Sequence, residues 1–165
     1  GYGYYLLGEL ETALKFIEKA LKMQTDIGFS FSWIHYSLSS VHCDIGNLNE
    51  AKAHAEQALN VAQMSKQKYF EAVSWLQLGR VLGKIERSQL HKAEEHILKG
   101  MTILDELGTR PFYAQGYLNL GELYADAGQN EKALENLKKA EGVYQKMGMD
   151  YSLARTKKVL EKVGI

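Results

Sequence analysis

Proline, cysteine and long apolar runs are all scarce in this chain, and each scarcity excludes a class of protein. Pro111 is the only proline among 165 residues, and because proline breaks helices, long uninterrupted helices are allowed almost throughout. Cys43 is the only cysteine, so no intrachain disulfide can form and a reducing compartment is favoured. No apolar run approaches the roughly 20 residues that cross a bilayer. We therefore expect a cytoplasmic protein that does not use a membrane as a partner.

Neither sign of charge is in excess. Lys and Arg number 20, as do Asp and Glu, so the formal net charge is zero. Proteins that bind nucleic acid usually carry a basic excess, because Lys and Arg neutralise the phosphates. We therefore expect no nucleic-acid partner. The composition, 45% hydrophobic and 24% charged, is that of a folded globular chain.

The spacing of the apolar residues is helical along most of the sequence. They recur every three or four residues, as in the run Leu118, Leu120, Leu123, Tyr124 and Ala127. That spacing places them on one face of a helix, whereas a strand would need strict alternation, which is not sustained anywhere. The sequence therefore predicts an all-α fold.

Alanines repeat at a nearly fixed interval. Ala13, Ala51, Ala93 and Ala133 follow one another at intervals of about 40 residues, a period in the range of repeat proteins. Seven residues after each of them, two helical turns along the same face, stands another small residue: Ala20, Ala58, Gly100 or Ala140. Small side chains at that spacing let two helix backbones approach closely. We expect each of these positions to accept a neighbouring helix.

Glycines mark the breaks between helices. A Gly stands five residues before an Ala in GELETA (8–13), GNLNEA (46–51) and GQNEKA (128–133), and glycine can take the left-handed conformation that ends a helix. After the second of these glycines, Asn47 and Glu50 resemble a capping box. Another set of breaks ends in glycine at positions 28, 108 and 148. An interval of 40 residues would place one more glycine of this set near residue 68, where the sequence has none.

These intervals predict one domain, residues 1–165, built from four helix pairs of about 40 residues each. The units are 1–28, 29–68, 69–108 and 109–148, the first of them truncated, and a capping helix follows at 149–165. Because the first unit starts part-way through its opening helix, we expect the chain to be a fragment of a longer one. We also expect its uncapped N-terminal face to self-associate.

The last unit carries the clearest motif, an aromatic residue followed by Leu-Gly, Tyr, Gly and two alanines. It reads Tyr117-x-x-Leu120-Gly121-x-x-Tyr124, then Gly128, Ala133, Leu137 and Ala140, and Trp75-x-x-Leu78-Gly79 opens another copy. This pattern resembles the tetratricopeptide repeat (TPR) signature, although these units are longer than is usual for that repeat. The resemblance covers nearly the whole chain. It implies a right-handed α-solenoid of antiparallel helix pairs that serves as a protein-interaction scaffold.

The C-terminal part also resembles the closing repeats of large bacterial signalling proteins. In those proteins a nucleotide cyclase or a signalling ATPase module precedes a repeat array. The segments Gly-Thr-Arg-Pro at 108–111 and Met-Gly-Met-Asp-Tyr at 147–151 carry this resemblance. It implies the regulatory or docking end of a longer cytoplasmic chain.

Residue types suited to catalysis are present, but their spacing does not assemble a site. His91 and His96 are five residues apart and fall on different helix faces, and His35 and His42 lie about 10.5 Å apart along a helix, too far to share one ion. The adjacent residues at 42–44, His-Cys-Asp, point in directions about 100° apart and cannot line up as a triad. We expect no catalytic residue, no cofactor and no metal, and hence not an enzyme.

What remains is the surface, and in stacked helix pairs the first helix of each pair lines the concave side. The residues that we place on that side change in character along the chain, from aromatic to basic and then to acidic. The predicted partner-binding residues are Tyr5, Trp33, Tyr36, Asp44, Arg80, Lys84, Glu122 and Asp126. Aromatic residues and Arg often dominate interface energetics, and the expected partner is a protein or peptide held in this groove.

Three alternatives stay open at this point. Trp33 and Tyr36 could instead be buried against the neighbouring repeat, and Glu122 and Asp126 could neutralise the basic pair Arg80 and Lys84 across the groove. The whole chain could also serve as a structural spacer or oligomerisation segment with no foreign ligand.

Overall fold

The structure, a computed structural model, describes residues 1–23 and 29–164. Within these ranges it contains nine α-helices and one short 3₁₀ helix, Arg87–Gln89, and no strand. The α-helices are α1 Tyr2–Leu6, α2 Leu10–Met23, α3 Phe29–Asp44, α4 Leu48–Met64, α5 Lys68–Ile85, α6 Leu90–Glu106, α7 Arg110–Asp126, α8 Asn130–Met147 and α9 Asp150–Val163. The predicted all-α fold is confirmed.

The helices stack in chain order as a solenoid. Each described helix from α3 onward packs against the next one along the chain, and α2 packs against both α1 and α3. In addition, α3 contacts α5, α5 contacts α7 and α7 contacts α9. We call the side on which these four helices meet the inner face. The predicted break at residues 26–28 lies outside the described residues, and the division into four repeat units stays a prediction.

Left-handed residues end several helices, as the glycine pattern predicts. Gly46, Gly128 and Gly148 have φ of 88°, 74° and 64°. Near the place where the second glycine series lacks a member, Lys66 itself adopts φ of 55°, a conformation that costs a residue with a Cβ some energy. The expected capping box is wrong in one respect. Asn47 is the N-cap of α4, but its side chain makes no capping hydrogen bond.

Small residues sit where helix backbones meet. A Cβ placed on Gly79 would lie 2.6 Å from the carbonyl oxygen of Ala93, and one on Gly100 would lie 2.6 Å from that of Ala72. Both contacts join α5 to α6. At Gly121 the added carbon would lie 2.5 Å from the Leu137 side chain. The Leu-Gly of the repeated motif is therefore a packing requirement, because real Cβ atoms do not approach neighbours so closely.

Ala20 is an exception to the expected pattern. Ala58, Gly100 and Ala140 are buried, whereas Ala20 is exposed. The cause is the length of the partner helix, because α1 has 5 residues while α7 has 17. In an antiparallel pair the second half of α2 runs beyond the start of such a short helix. Within the described residues, Ala20 therefore has no helix opposite it.

Candidate partner-binding face

Four charged side chains form a continuous ladder along the inner face, one from each of α3, α5, α7 and α9. The guanidinium of Arg80 donates hydrogen bonds to Asp44 and, from Nε at 3.1 Å, to Oε2 of Glu122. Arg155 donates to the same Glu122 carboxylate from Nε at 2.8 Å and from Nη2 at 2.7 Å to each oxygen. We call these four residues the ion ladder. Two carboxylates and two guanidinium groups balance each other in it.

Burial makes the ion ladder electrostatically strong. Arg80 and Glu122 are buried, at 5% and 8% exposure. Burial alone would raise the pKa of Glu122, but the charges of Arg155, Arg80 and Lys84 outweigh it and hold that pKa well below its usual range. Burial opposes the charge of Asp44 as well, and Arg80 and Arg155 again lower its pKa below the usual value. Both carboxylates are therefore ionised at neutral pH.

A second, looser pair lies one helical turn beyond the ladder. The ammonium of Lys84 is 4.0 Å from Oδ2 of Asp126, and their side chains are 30% and 49% exposed. Such a solvated pair contributes little to stability. Its two side chains remain reachable by a partner.

An aromatic cluster closes the other end of the inner face. The Trp33 ring stacks on Tyr36 at 5.3 Å and contacts Tyr2 at 4.6 Å between ring centroids. Tyr5 of α1 meets Tyr151 of α9 edge-on at 5.7 Å. The first and last described helices therefore touch, and little space remains between them, since the cavity there measures about 20 Å³.

The structure places the eight predicted residues in two connected groups on α1, α3, α5 and α7. Tyr5, Trp33 and Tyr36 belong to the aromatic cluster, and the other five belong to the ion ladder or to the Lys84–Asp126 pair. Four of the eight are buried within the chain itself: Tyr5, Tyr36, Arg80 and Glu122. Two of the alternatives left open by the sequence therefore describe these contacts, because Tyr36 packs inside and both basic residues face acidic partners.

Sequence reasoning missed the contribution of α9. It treated that helix only as a cap, whereas Arg155 completes the ion ladder and Tyr151 meets Tyr5. The signal that could have found Arg155 is its spacing. In α9, Arg155 and Val159 are one turn apart and Val159 is buried, so an arginine next to the apolar stripe had to face the preceding helices.

One part of the inner face stays open. A cavity of about 480 Å³ lies between the C-terminal ends of α3 and α5 and the flank of α9. Its walls include the ion ladder together with Lys84, Lys158 and Lys162, and Tyr151 and Val159 add apolar surface. We call it the open cavity. A neighbouring depression of about 490 Å³ shares Cys43, Asp44 and Lys84 with it.

Three histidines meet between α3 and α4, away from the open cavity. Nδ1 of His35 is 2.8 Å from Nδ1 of His54, and the His42 ring stacks on the His54 ring at 5.5 Å. Burial and the neighbouring His54 lower the pKa of His35 to about 4. Burial and His42 also lower the pKa of His54. Among residues 1–23 and 29–164, no group of three or more His, Cys, Asp and Glu side chains has the arrangement of a metal site.

No helix in the described part of the chain has the length and apolarity that a membrane span needs. Among curated proteins, no sequence match was found. A similar solved structure is the crystal structure of the nearly identical TPR-like repeats of a Podosopora anserina protein named as a kinesin light chain. It superposes with a TM-score of 0.60 at 18% identity and covers 98% of this chain and 89% of that one. At that identity the likeness shows the fold alone.

The profile of the MalT-like TPR region matches residues 1–162. That match covers nearly the whole chain. It agrees with the helix pairs of the structure, with the glycines at their contacts and with the stacking of the helices. The chain belongs to the MalT-like TPR family.

Proposed function

We propose that this chain is a protein-interaction scaffold, the regulatory or docking region of a larger cytoplasmic signalling protein, and that it binds its partner at the open cavity. TPR-type repeats generally serve as interaction modules rather than as catalysts. The observation that carries the site is the contrast along the inner face, where the aromatic end is filled by the chain's own side chains while the end between α5 and α9 is open.

Binding rather than catalysis fits the chemistry of the site. Cys43 lines the open cavity, but burial raises the pKa of its thiol, so the reactive thiolate is disfavoured. The carboxylates of Asp44 and Glu122 already accept hydrogen bonds from arginines, which leaves neither free to act as a general base. A partner segment would meet lysine side chains at the rim and an apolar wall formed by Tyr151 and Val159.

The proposal is tested by selecting binders from a random 12-residue peptide library and mapping them by hydrogen exchange. We expect bound peptides to protect amides at the C-terminal ends of α5 and α7 and along α9. They should leave α4 and α6 unchanged. Binders that protect only α4, α6 or α8 would overturn the placement, and a selection that enriches no peptide would count against a peptide-binding role.

Self-association through the N-terminal face is a second candidate, because large apolar side chains are exposed there. Tyr4 and Phe16 stack on each other at 5.3 Å with their rings nearly parallel, at exposures of 38% and 45%. Leu7 and Met23 are more than two-thirds exposed. A second copy of the chain would cover this surface and remove apolar area from water.

Sedimentation equilibrium over a range of protein concentrations tests this candidate. We expect a concentration-dependent mass that returns to the monomer value in the double variant Leu7→Glu, Phe16→Glu. The control places two glutamates at exposed Leu98 and Leu107 and should leave the mass as it is in the wild type. A monomeric wild type at every concentration would remove the candidate.

A further inference from the structure

The open cavity is strongly basic although the chain as a whole is neutral. Five cationic side chains line it, Arg80, Lys84, Arg155, Lys158 and Lys162, against the two carboxylates of Asp44 and Glu122. The chain carries equal numbers of acidic and basic residues. The excess at this place is therefore a local separation of charge and not a consequence of composition.

The carboxylates in the wall are paired mainly with the arginines, and not with the lysines of α9. Each accepts its hydrogen bonds from an arginine, Asp44 from Arg80 and Glu122 from both arginines. Of the three lysines, Lys84 has an acidic neighbour at the loose distance of 4.0 Å. Lys158 and Lys162 lie one turn apart on the exposed side of α9 and point along the same wall. The ion ladder thus forms a neutral floor, and the lysines form a basic rim.

We propose that the open cavity binds an acidic segment of a partner protein, with carboxylates of that segment placed between Lys84 and the two lysines of α9. This inference rests on the proposed function and adds the chemistry of the partner to it. Complementary charge speeds the encounter and suppresses wrong partners. The apolar wall formed by Tyr151 and Val159 offers a surface for an apolar residue within the same segment.

Nucleic acid fits this surface less well than an acidic peptide does. A phosphate backbone needs a basic track that continues over many residues, whereas the basic rim is confined to one cavity of about 480 Å³. Asp126, which is 49% exposed, stands at its edge beside Lys84. A short acidic peptide can place its charges in the cavity without passing that carboxylate.

The test uses fluorescein-labelled octaglutamate, blocked at both ends, and measures its anisotropy on titration with the full chain at low salt. The variant Lys158→Glu, Lys162→Glu should weaken binding at least tenfold. The control Lys138→Glu, Lys157→Glu makes the same change of charge at two exposed lysines, one on α8 and one on α9, that do not line the cavity. It should weaken binding less than twofold. The variant Lys158→Arg, Lys162→Arg should bind like the wild type, because it keeps the charge.

The inference is overturned if octaglutamate does not bind, if both glutamate variants lose the same affinity, or if a labelled 12-residue oligothymidylate binds more tightly than octaglutamate. Thermal unfolding of each variant verifies that the solenoid is intact. Library peptides that protect the inner face but lack acidic residues would overturn this inference and leave the proposed function standing. Failure of both octaglutamate and the library selection would remove both.

Discussion

The contacts between paired helices and the contacts along the inner face differ in one element, which is buried charge. Between α5 and α6, and between α7 and α8, the helices approach over glycine and alanine, with apolar side chains filling the rest. Along the inner face, helices from successive pairs also approach at a glycine, as Gly83 of α5 does against Leu123 of α7. In addition, these helices are joined by charge, through an ion ladder that occurs once. The first kind of contact repeats in sequence, while the second depends on single residues from four different helices.

The first kind of contact belongs to the fold in general, whereas the second is specific to this molecule. A repeated small residue can fix the distance between two helices in any member of such a fold, because it acts through shape alone. A buried charge stabilises only when its partners are in place, and it destabilises strongly when one partner is missing. Breaking each kind of contact in turn should therefore give losses of stability of different size.

The largest effect is expected from Glu122→Gln, which removes the charge shared by Arg80 and Arg155. Two cations then face each other in a buried site with only Asp44 to compensate, so we expect a loss of about 3–5 kcal/mol in the free energy of unfolding. Urea denaturation followed by circular dichroism measures it. The control Glu135→Gln removes one partner of the exposed Lys139 pair and should change little. Equal losses of unfolding free energy in the two variants would show that the buried ion ladder contributes no more than an exposed ion pair.

A smaller loss is expected from Gly79→Ala, in spite of alanine's higher helix propensity. The new methyl group would meet backbone atoms of Ala93 and Ile97 within 3.0 Å, and overpacking of this kind costs about 1–3 kcal/mol. At Gly142 in α8 an added Cβ meets nothing within 4 Å, so Gly142→Ala should stabilise by about 0.5–1 kcal/mol. The same denaturation experiment compares the two variants. Stabilisation by both substitutions would show that the contact at Gly79 has room for a methyl group.

As the pH falls, the α3–α4 contact should weaken before the ion ladder does. His35 has a pKa of about 4 in the folded chain against about 6.5 when unfolded, so the unfolded chain binds more protons between these values. Stability therefore falls as the pH drops from about 6.5 to 4. Glu122 and Asp44 have pKa values below their usual ones in the folded chain, so their stabilising contribution is present at neutral pH and is lost only below their unfolded pKa of about 4.

Denaturation at a series of pH values measures this slope. Around His54 the charges of Glu18 on α2 and Glu50 on α4 favour the protonated ring and oppose the effect. We expect His54→Asn to flatten the slope between pH 6.5 and 4, because it removes the ring that faces both His35 and His42. The same change at exposed His91 is the control. An unchanged slope in His54→Asn would assign the acid sensitivity to other groups.

The smallest effect is expected at the Lys84–Asp126 pair. Both side chains are substantially exposed, so Asp126→Asn should alter the free energy of unfolding by no more than about 0.5 kcal/mol. The same variant removes the carboxylate at the edge of the open cavity. We expect octaglutamate to bind more tightly to it, by about twofold to fivefold at low salt. Weaker binding would show that Asp126 does not oppose an acidic ligand.

The repeating features could be predicted from the sequence, because each appears several times. The interval between Ala51, Ala93 and Ala133 and the Leu-Gly motif at Gly79 and Gly121 were sufficient for an all-α solenoid. Exposed Ala20 shows the limit of that reasoning, since burial at a repeated position also requires a partner helix of full length.

The ion ladder could be predicted only in part. The pairing of Arg80 with Glu122 was one of two alternatives, because helices two apart in the chain were expected to meet on one side. Arg155 was missed, since it lies in a helix outside the repeat interval and its rotation relative to α7 is set by packing of Val159 and Leu160. Residue spacing places Arg155 beside the apolar stripe of α9, but it does not identify Glu122 as the residue that Arg155 meets.

The contact between Tyr5 and Tyr151 has a consequence for how the molecule opens. In an open array of repeats each end frays independently, because every repeat contacts only its neighbours. Here the first helix rests on the last, so detaching α9 also uncovers Tyr5, and detaching α1 uncovers Tyr151. Helices α1 and α9 should therefore exchange their amide hydrogens together, and not one independently of the other as in an open solenoid.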